Sequence, residues 1–132
     1  MVVQELEVLV QAIVITNDEQ VLTVCSQIAG KAEIDWSVER DMADLLLRLH
    51  NDDFKLILFD WEKYEDDCLK WLEHIHKLRP RIPIITTCPC ISREKGACLM
   101  DLGIFYITQK PLSTFPLLEI IHNIKKKSLE AM

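Results

Sequence analysis

Three apolar runs of this chain end on charged side chains, and those ends are where its residue types could do chemistry. Phe54-Lys-Leu-Ile-Leu-Phe-Asp60 has β character, stops on a carboxylate and is followed at once by Trp61, Glu62 and a polar stretch. Ala12-Ile-Val-Ile-Thr-Asn17-Asp18 and Ile104-Phe-Tyr-Ile-Thr-Gln-Lys110 end in the same manner. If the three runs are parallel neighbours, one sheet edge holds two carboxylates and an ammonium, and in an open α/β sheet the carboxyl ends of the strands are where a ligand sits.

Each of these residues also has a plainer role open to it. Asp60 can cap the loop that follows it, Lys110 can be a surface lysine, and Asp18 can be the N-cap of a helix from Glu19, a position Asp favours. Asn17 reads either as a turn residue or as a holder of water beside the site. Cys88-Pro89-Cys90 is the only close cysteine pair. With no basic neighbour in sequence to lower a thiol pKa, both read as small packing residues rather than a redox pair. His74 and His76, two apart, do not share a helical face, which argues against a metal pair. Trp36, Trp61 and Trp71 read as packing residues, with Trp61 also at the mouth of the edge.

The elements that must position this edge follow from periodicity. After the first strand, Glu19 to Ala29 carries Val21, Leu22, Val24, Cys25 and Ile28 at helical spacing and stops at Gly30. A short strand around Ala32 to Trp36 follows. Arg40 to His50 puts Met42, Leu45, Leu46 and Leu49 on one face, and Asn51-Asp52-Asp53 breaks it before the Phe54 strand. Glu65 to Leu78 repeats the helical pattern, and Arg79-Pro80-Arg81 ends it before the strand Ile82 to Thr87. Ser92 caps a helix to about Leu102, Gly103 closes it, and the Ile104 strand runs to Lys110-Pro111. Ser113 opens the last helix, with Leu117, Leu118, Ile120, Ile121 and Ile124 apolar.

Strands that are almost continuously apolar and alternate with amphipathic helices imply a parallel sheet covered on both faces, and right-handed crossovers leave few topologies. The expected fold is α/β, a doubly wound five-stranded parallel sheet of flavodoxin-like type with strand order 2-1-3-4-5. A chain of 132 residues reads as one domain spanning 1–132, with 1–9 either lengthening the first strand or forming an N-terminal extension.

A formal charge of −6 argues against a nucleic-acid-binding surface, and the one dense basic cluster, Lys125-Lys126-Lys127, reads as the solvated end of a helix. No apolar stretch reaches the roughly 20 residues that span a bilayer, and the start lacks the basic residues of a signal peptide. Five cysteines with no CxxC spacing suit reduced thiols, so a cytoplasmic setting is expected.

Taken together, the order of motifs resembles the receiver domain of bacterial response regulators, which takes a phosphoryl group from a histidine kinase onto an aspartate. The likeness covers nearly the whole chain. It rests on Asn17-Asp18 after the first strand, Asp60 ending the third, Thr86-Thr87-Cys88 ending the fourth and Lys110-Pro111 ending the fifth, with Leu102-Gly103 as the turn before the fifth. The resemblance implies that Asp60 is the phosphoacceptor and that Mg²⁺ is the cofactor. Asp18, Asp60 and the main-chain carbonyl of Glu62 would hold the metal, with Asn17 at a metal-bound water. Magnesium takes oxygen ligands and keeps several waters, so so few carboxylates suffice. Lys110 would pair with the acceptor and then with a phosphoryl oxygen, and a hydroxyl at Thr87 or Cys88's position would bond that oxygen.

Several positions depart from the family pattern. Asn17 replaces the first acid of the pair and supplies no charge. Cys88 aligns with the usual switch Ser or Thr, and a thiol is a weak donor. Thr87, one residue earlier, is expected to face the other way unless the strand is bulged. Ile107 stands where the family often has Tyr or Phe, with Tyr106 facing away, and Pro89 and Pro116 are unusual.

The implied function is a signalling switch rather than an enzyme. Its partners would be a sensor histidine kinase or phosphotransfer protein, an output domain or regulated partner, and a second copy through the fifth strand and its flanking helices. The alternative keeps the fold and drops the chemistry: a phosphorylation-independent pseudo-receiver acting as an interaction or dimerisation module. A flavodoxin-like enzyme with Cys88 as nucleophile is a third reading.

Overall fold

In the computed structural model, which describes residues 9–60, 67–88, 97, 101 and 106–130, the apolar runs become strands and the amphipathic stretches become helices. The order is β1 (Val10–Ile15), α1 (Glu19–Ala32), β2 (Ile34–Glu39), α2 (Met42–Asn51), β3 (Leu56–Asp60), α3 (Cys68–Leu78), β4 (Ile84–Cys88), β5 (Tyr106–Gln109) and α4 (Thr114–Glu130). All strands are parallel and lie in the order β2-β1-β3-β4-β5, the topology expected from the sequence.

The inner strands β1, β3 and β4 are largely buried because each feeds two cores. Successive side chains alternate between the faces of the sheet. Ile13, Ile15, Ile57, Phe59 and Ile84 pack on one side with Leu45 and Leu49 of α2 and Leu72 and Ile75 of α3. Ala12, Val14, Leu56, Leu58 and Ile85 pack on the other with Val21, Val24 and Ile28 of α1 and Leu117 and Ile121 of α4. Central β3 is buried at all five positions, the pattern of a parallel strand covered on both faces.

Local chemistry sets the helix ends, and one helix end and the strand after it differ from expectation. Asp18 caps α1 and Asp41 caps α2, each accepting the backbone N–H two residues on. Helix α1 does not stop at Gly30. It runs on to Ala32, and the left-handed cap residue is Glu33, with φ 55°, whose N–H reaches the carbonyls of Ala29 and Gly30. Strand β2 accordingly starts at Ile34 and extends to Glu39, because it pairs with the whole of β1 from Val10↔Ile34 to Ile15↔Glu39. Pro116 sits in the first turn of α4, where a helix needs no N–H.

The helix expected over Ser92 to Leu102, with Gly103, lies outside the described residues apart from Ala97 and Asp101, as does the extension before Leu9. Among the described residues, no helix is long and apolar enough to cross a membrane.

Candidate functional site

The parallel order puts the carboxyl ends of β1, β3, β4 and β5 side by side, and the residues there form one hydrogen-bonded cluster. Asp60 ends β3 with only 2% of its surface exposed. Its burial is tolerable because donors reach both oxygens. Oδ1 accepts the Thr87 hydroxyl at 2.9 Å and the Lys110 ammonium at 3.2 Å. Oδ2 accepts the Thr16 hydroxyl at 2.5 Å and the same ammonium at 3.3 Å.

Lys110 follows β5 and is itself nearly buried, with 8% of its side chain exposed. Its ammonium also lies 2.7 Å from Asp18 Oδ2, so one cation bridges two carboxylates. Asp18 is half-buried, and its other oxygen accepts the Gln20 N–H at 2.9 Å as the α1 cap. The bond from Lys110, followed by the one from Gln20, holds the Asp18 carboxyl below the usual carboxylate range, against the opposing effect of burial. One Asp18 oxygen is thus the helix cap, and the other is paired with the ammonium that also reaches Asp60.

The loop bearing Lys110 is tied back to α1. Gln20 Nε2 donates to the Leu112 carbonyl at 2.6 Å, and Leu112 N–H donates to Gln20 Oε1 at 3.3 Å. The Thr114 hydroxyl adds a contact to Gln27 Oε1 at 3.1 Å. These bonds fix the β5–α4 corner beside the N-terminus of α1, which keeps Lys110 against Asp18.

Thr87 corrects the expected orientation of the fourth strand's end. It does not face away from the site: it is the register partner of Asp60, and β4 runs unbulged beside β5 from Ile85↔Tyr106 to Cys88↔Gln109. Register partners in a parallel ladder project from the same face, and Thr87 shares parity with Ile85, whose core is that of Leu56 and Leu58. Cys88 is one residue further along and completes the strand, paired with Gln109. Tyr106 and Ile107 do face opposite ways, Tyr106 packing toward α1 and α4 and Ile107 toward α2 and α3.

Asn17 is exposed beside the cluster. Glu62, with Trp61 and Pro89, lies outside the described residues. Sequence reasoning missed Thr16 and Gln20. Thr16 had a readable signal, because it follows Ala12 and Val14 at even spacing and so belongs to the face of Asp60. Gln20 had none, since its partner is a backbone group 92 positions away.

A groove of about 890 Å³ lies at the opposite end of the sheet, lined by Val10, Ile34, Leu56, Pro83, Tyr106 and Lys125 among others. Among the described residues lining it none is a carboxylate, whereas the strand ends around Asp60 carry two.

No protein-family model matches the chain, and no curated protein does. Solved structures do match. A CheY-like response regulator receiver domain protein from Methanospirillum hungatei JF-1 is 24% identical over 93% of this chain and 99% of its own, with a TM-score of 0.79. A Burkholderia pseudomallei response regulator, solved with a phosphorylated aspartic acid, calcium ion and citrate, is 16% identical over 92% of this chain and 72% of its own, with a TM-score of 0.73. The beryllofluoride-activated NtrC4 receiver domain dimer is 15% identical over 89% of this chain and 97% of its own, with a TM-score of 0.79. The chain therefore has the fold of response regulator receiver domains.

Proposed function

We propose that this chain, which has the receiver fold, is the phosphoacceptor switch of a two-component relay, taking a phosphoryl group on Asp60. The observation that carries this reading is the bridging ammonium: Lys110 contacts Asp18 and both oxygens of Asp60 at the end of the central strand. A carboxylate held there, with an ammonium and a hydroxyl on it, is a nucleophile whose product charge has partners already in place. One of the solved neighbours carries a phosphorylated aspartic acid.

In the reaction, an Asp60 oxygen attacks phosphorus while the bond from phosphorus to the donor's imidazole nitrogen breaks, and the ring nitrogen keeps the electron pair. Lys110 and Thr87 then move their hydrogen bonds from the carboxylate to phosphoryl oxygens. The donor would be a sensor histidine kinase or phosphotransfer protein, and the reader an output domain or separate partner. The chain acts as a switch in the cytoplasm, with no external product. Self-association through β5 and its flanking helices belongs to the same reading, and one neighbour is a receiver domain dimer.

Mg²⁺ is the cofactor of this reading, and the donor set suits it in kind. Asp18 and Asp60 offer two hard carboxylates at one edge, and magnesium is held by one or two carboxylates with waters filling the remaining positions. Asn17 beside them can hold such a water, and Glu62 would add its main-chain carbonyl. When bound, the ion offsets the charge of acid and phosphate together.

Incubation with acetyl phosphate or beryllofluoride and Mg²⁺, read by intact mass and NMR, tests the reading. One adduct should form on the wild-type chain and none on Asp60→Asn. Absence of an adduct at every Mg²⁺ concentration rejects phosphorylation and leaves the phosphorylation-independent interaction module, for which Asp60→Asn keeps partner binding intact.

A further inference from the structure

We infer that Thr16 is a restraint on the acceptor, holding Asp60 in a state that takes up metal and phosphoryl slowly. The inference concerns regulation of the site proposed above and rests, for its phosphoryl part, on that reading.

An ionised carboxylate has about four acceptor positions on its two oxygens. Asp60 receives four donor contacts: Thr87 and Lys110 on Oδ1, Thr16 and Lys110 on Oδ2. Its acceptor capacity is therefore filled from within the protein. An oxygen that is to attack phosphorus or ligate a cation must first lose a donor.

The three donors differ in what they can do next. Lys110 has Asp18 as a second anion to hold, and Thr87 is placed to follow a group added at Oδ1. Thr16 has no such latitude. It is fully buried, and its hydroxyl oxygen accepts the Asp18 N–H at 2.9 Å, which aims its single proton at Asp60. The resulting contact, 2.5 Å, is at the short end for a hydroxyl on a carboxylate, where such bonds are strongest. Thr16 thus stabilises the unloaded acceptor and is lost as a partner once Oδ2 is engaged. Charge on Oδ2 that is shared with Thr16 is charge withheld from a metal or from phosphorus.

The same bond links Asp60 to the α1 cap, since Asp18 bonds both Thr16 and Gln20. Loading of Asp60 would loosen the N-terminus of α1 through Thr16, without any aromatic switch residue at Ile107.

The experiment compares wild type, Thr16→Val and Thr16→Ser for Mg²⁺ affinity, by backbone-amide NMR titration, and for the rate of acetyl phosphate labelling, by intact mass. Removing a hydrogen bond to a charged group should tighten Mg²⁺ binding and speed labelling roughly tenfold in Thr16→Val. Thr16→Ser, which keeps the hydroxyl, should match wild type. If Thr16→Val does not fold, Thr16→Cys keeps the volume with a weaker donor and should shift both readouts in the same direction by less.

Tighter Mg²⁺ binding in Thr16→Val with no labelling of any variant upholds the restraint and rejects phosphorylation. Normal labelling of wild type with unchanged or weaker Mg²⁺ binding and rate in Thr16→Val overturns the restraint and leaves phosphorylation standing. Absence of both Mg²⁺ binding and labelling in every variant rejects both.

Discussion

Lys110 lies closer to Asp18 than to Asp60, 2.7 Å against 3.2 and 3.3 Å. The Asp60 carboxylate shares its charge with two hydroxyls, whereas the ammonium is the main partner of Asp18 Oδ2. Lys110 therefore responds to both acids, and the half-buried one reports on it most directly.

That report is a pH dependence. The Asp18 carboxyl is held below its ordinary value chiefly by the Lys110 bond. A carboxylate with a depressed folded value contributes stability above its unfolded value, about 3.9, and loses it as pH falls through the lower folded value. An NMR titration of the Asp18 side-chain carbon should give a midpoint below that of a free Asp, and Lys110→Met should move it upward. A midpoint that ignores Lys110→Met would remove the bridge from the description of the site.

Lys110→Met should also destabilise the fold, by about 3 kcal/mol, because it leaves a buried carboxylate without its cation. Two hydroxyls remain on Asp60, which places the cost at the low end for breaking a buried pair. Adding Asp60→Asn removes the uncompensated charge, so the double variant should recover most of the loss in a denaturant melt. Equal losses in the single and double variants would point to lost packing of the lysine stem instead.

Thr87→Val should cost about 1.5–3 kcal/mol, the range for a hydrogen bond to a charged group, with little change of shape. Thr87 marks the limit of what the chain disclosed beforehand. The strand runs, their parallel order and the edge of Asp18, Asp60 and Lys110 were legible because apolar periodicity and charged run ends are local signals. The end of β4 was not, because Thr86, Thr87 and Cys88 all suit a strand and only pairing with β3 decides which one sits across from Asp60. Thr16 was legible only through its even spacing from Ala12 and Val14, since a lone hydroxyl at the end of an apolar run otherwise reads as β propensity.

Cys25 gives a second pH window, at the alkaline end. Burial in the α1 core pushes its thiol up to about 12. A raised folded value means the neutral thiol supports the fold fully below the unfolded value, about 8.5, with that contribution lost as pH rises through about 12. At pH 8 a thiol reagent should therefore modify Cys25 only as fast as the chain opens, and denaturant should accelerate the reaction in step with unfolding. Rapid native-state labelling of Cys25 would contradict its place in the core.

The end of α1 separates a glycine that reads as a helix stop from the residue that does the stopping. Helical Gly30 has room around it, since an added Cβ meets no atom within 4 Å. Gly30→Ala should stabilise the protein by about 0.5–1 kcal/mol by lowering the entropy lost on folding. Glu33 bears the left-handed conformation instead, at φ 55°, where a side chain costs about 1–2 kcal/mol and glycine costs nothing steric. Glu33→Gly should thus be net stabilising by about 0.5–1 kcal/mol once the greater freedom of glycine in the unfolded chain is subtracted. Both gains should appear as higher denaturant midpoints at unchanged slope. If Gly30→Ala destabilises while Glu33→Gly has no effect, the helix ends at Gly30 after all, as glycine's terminator role suggests.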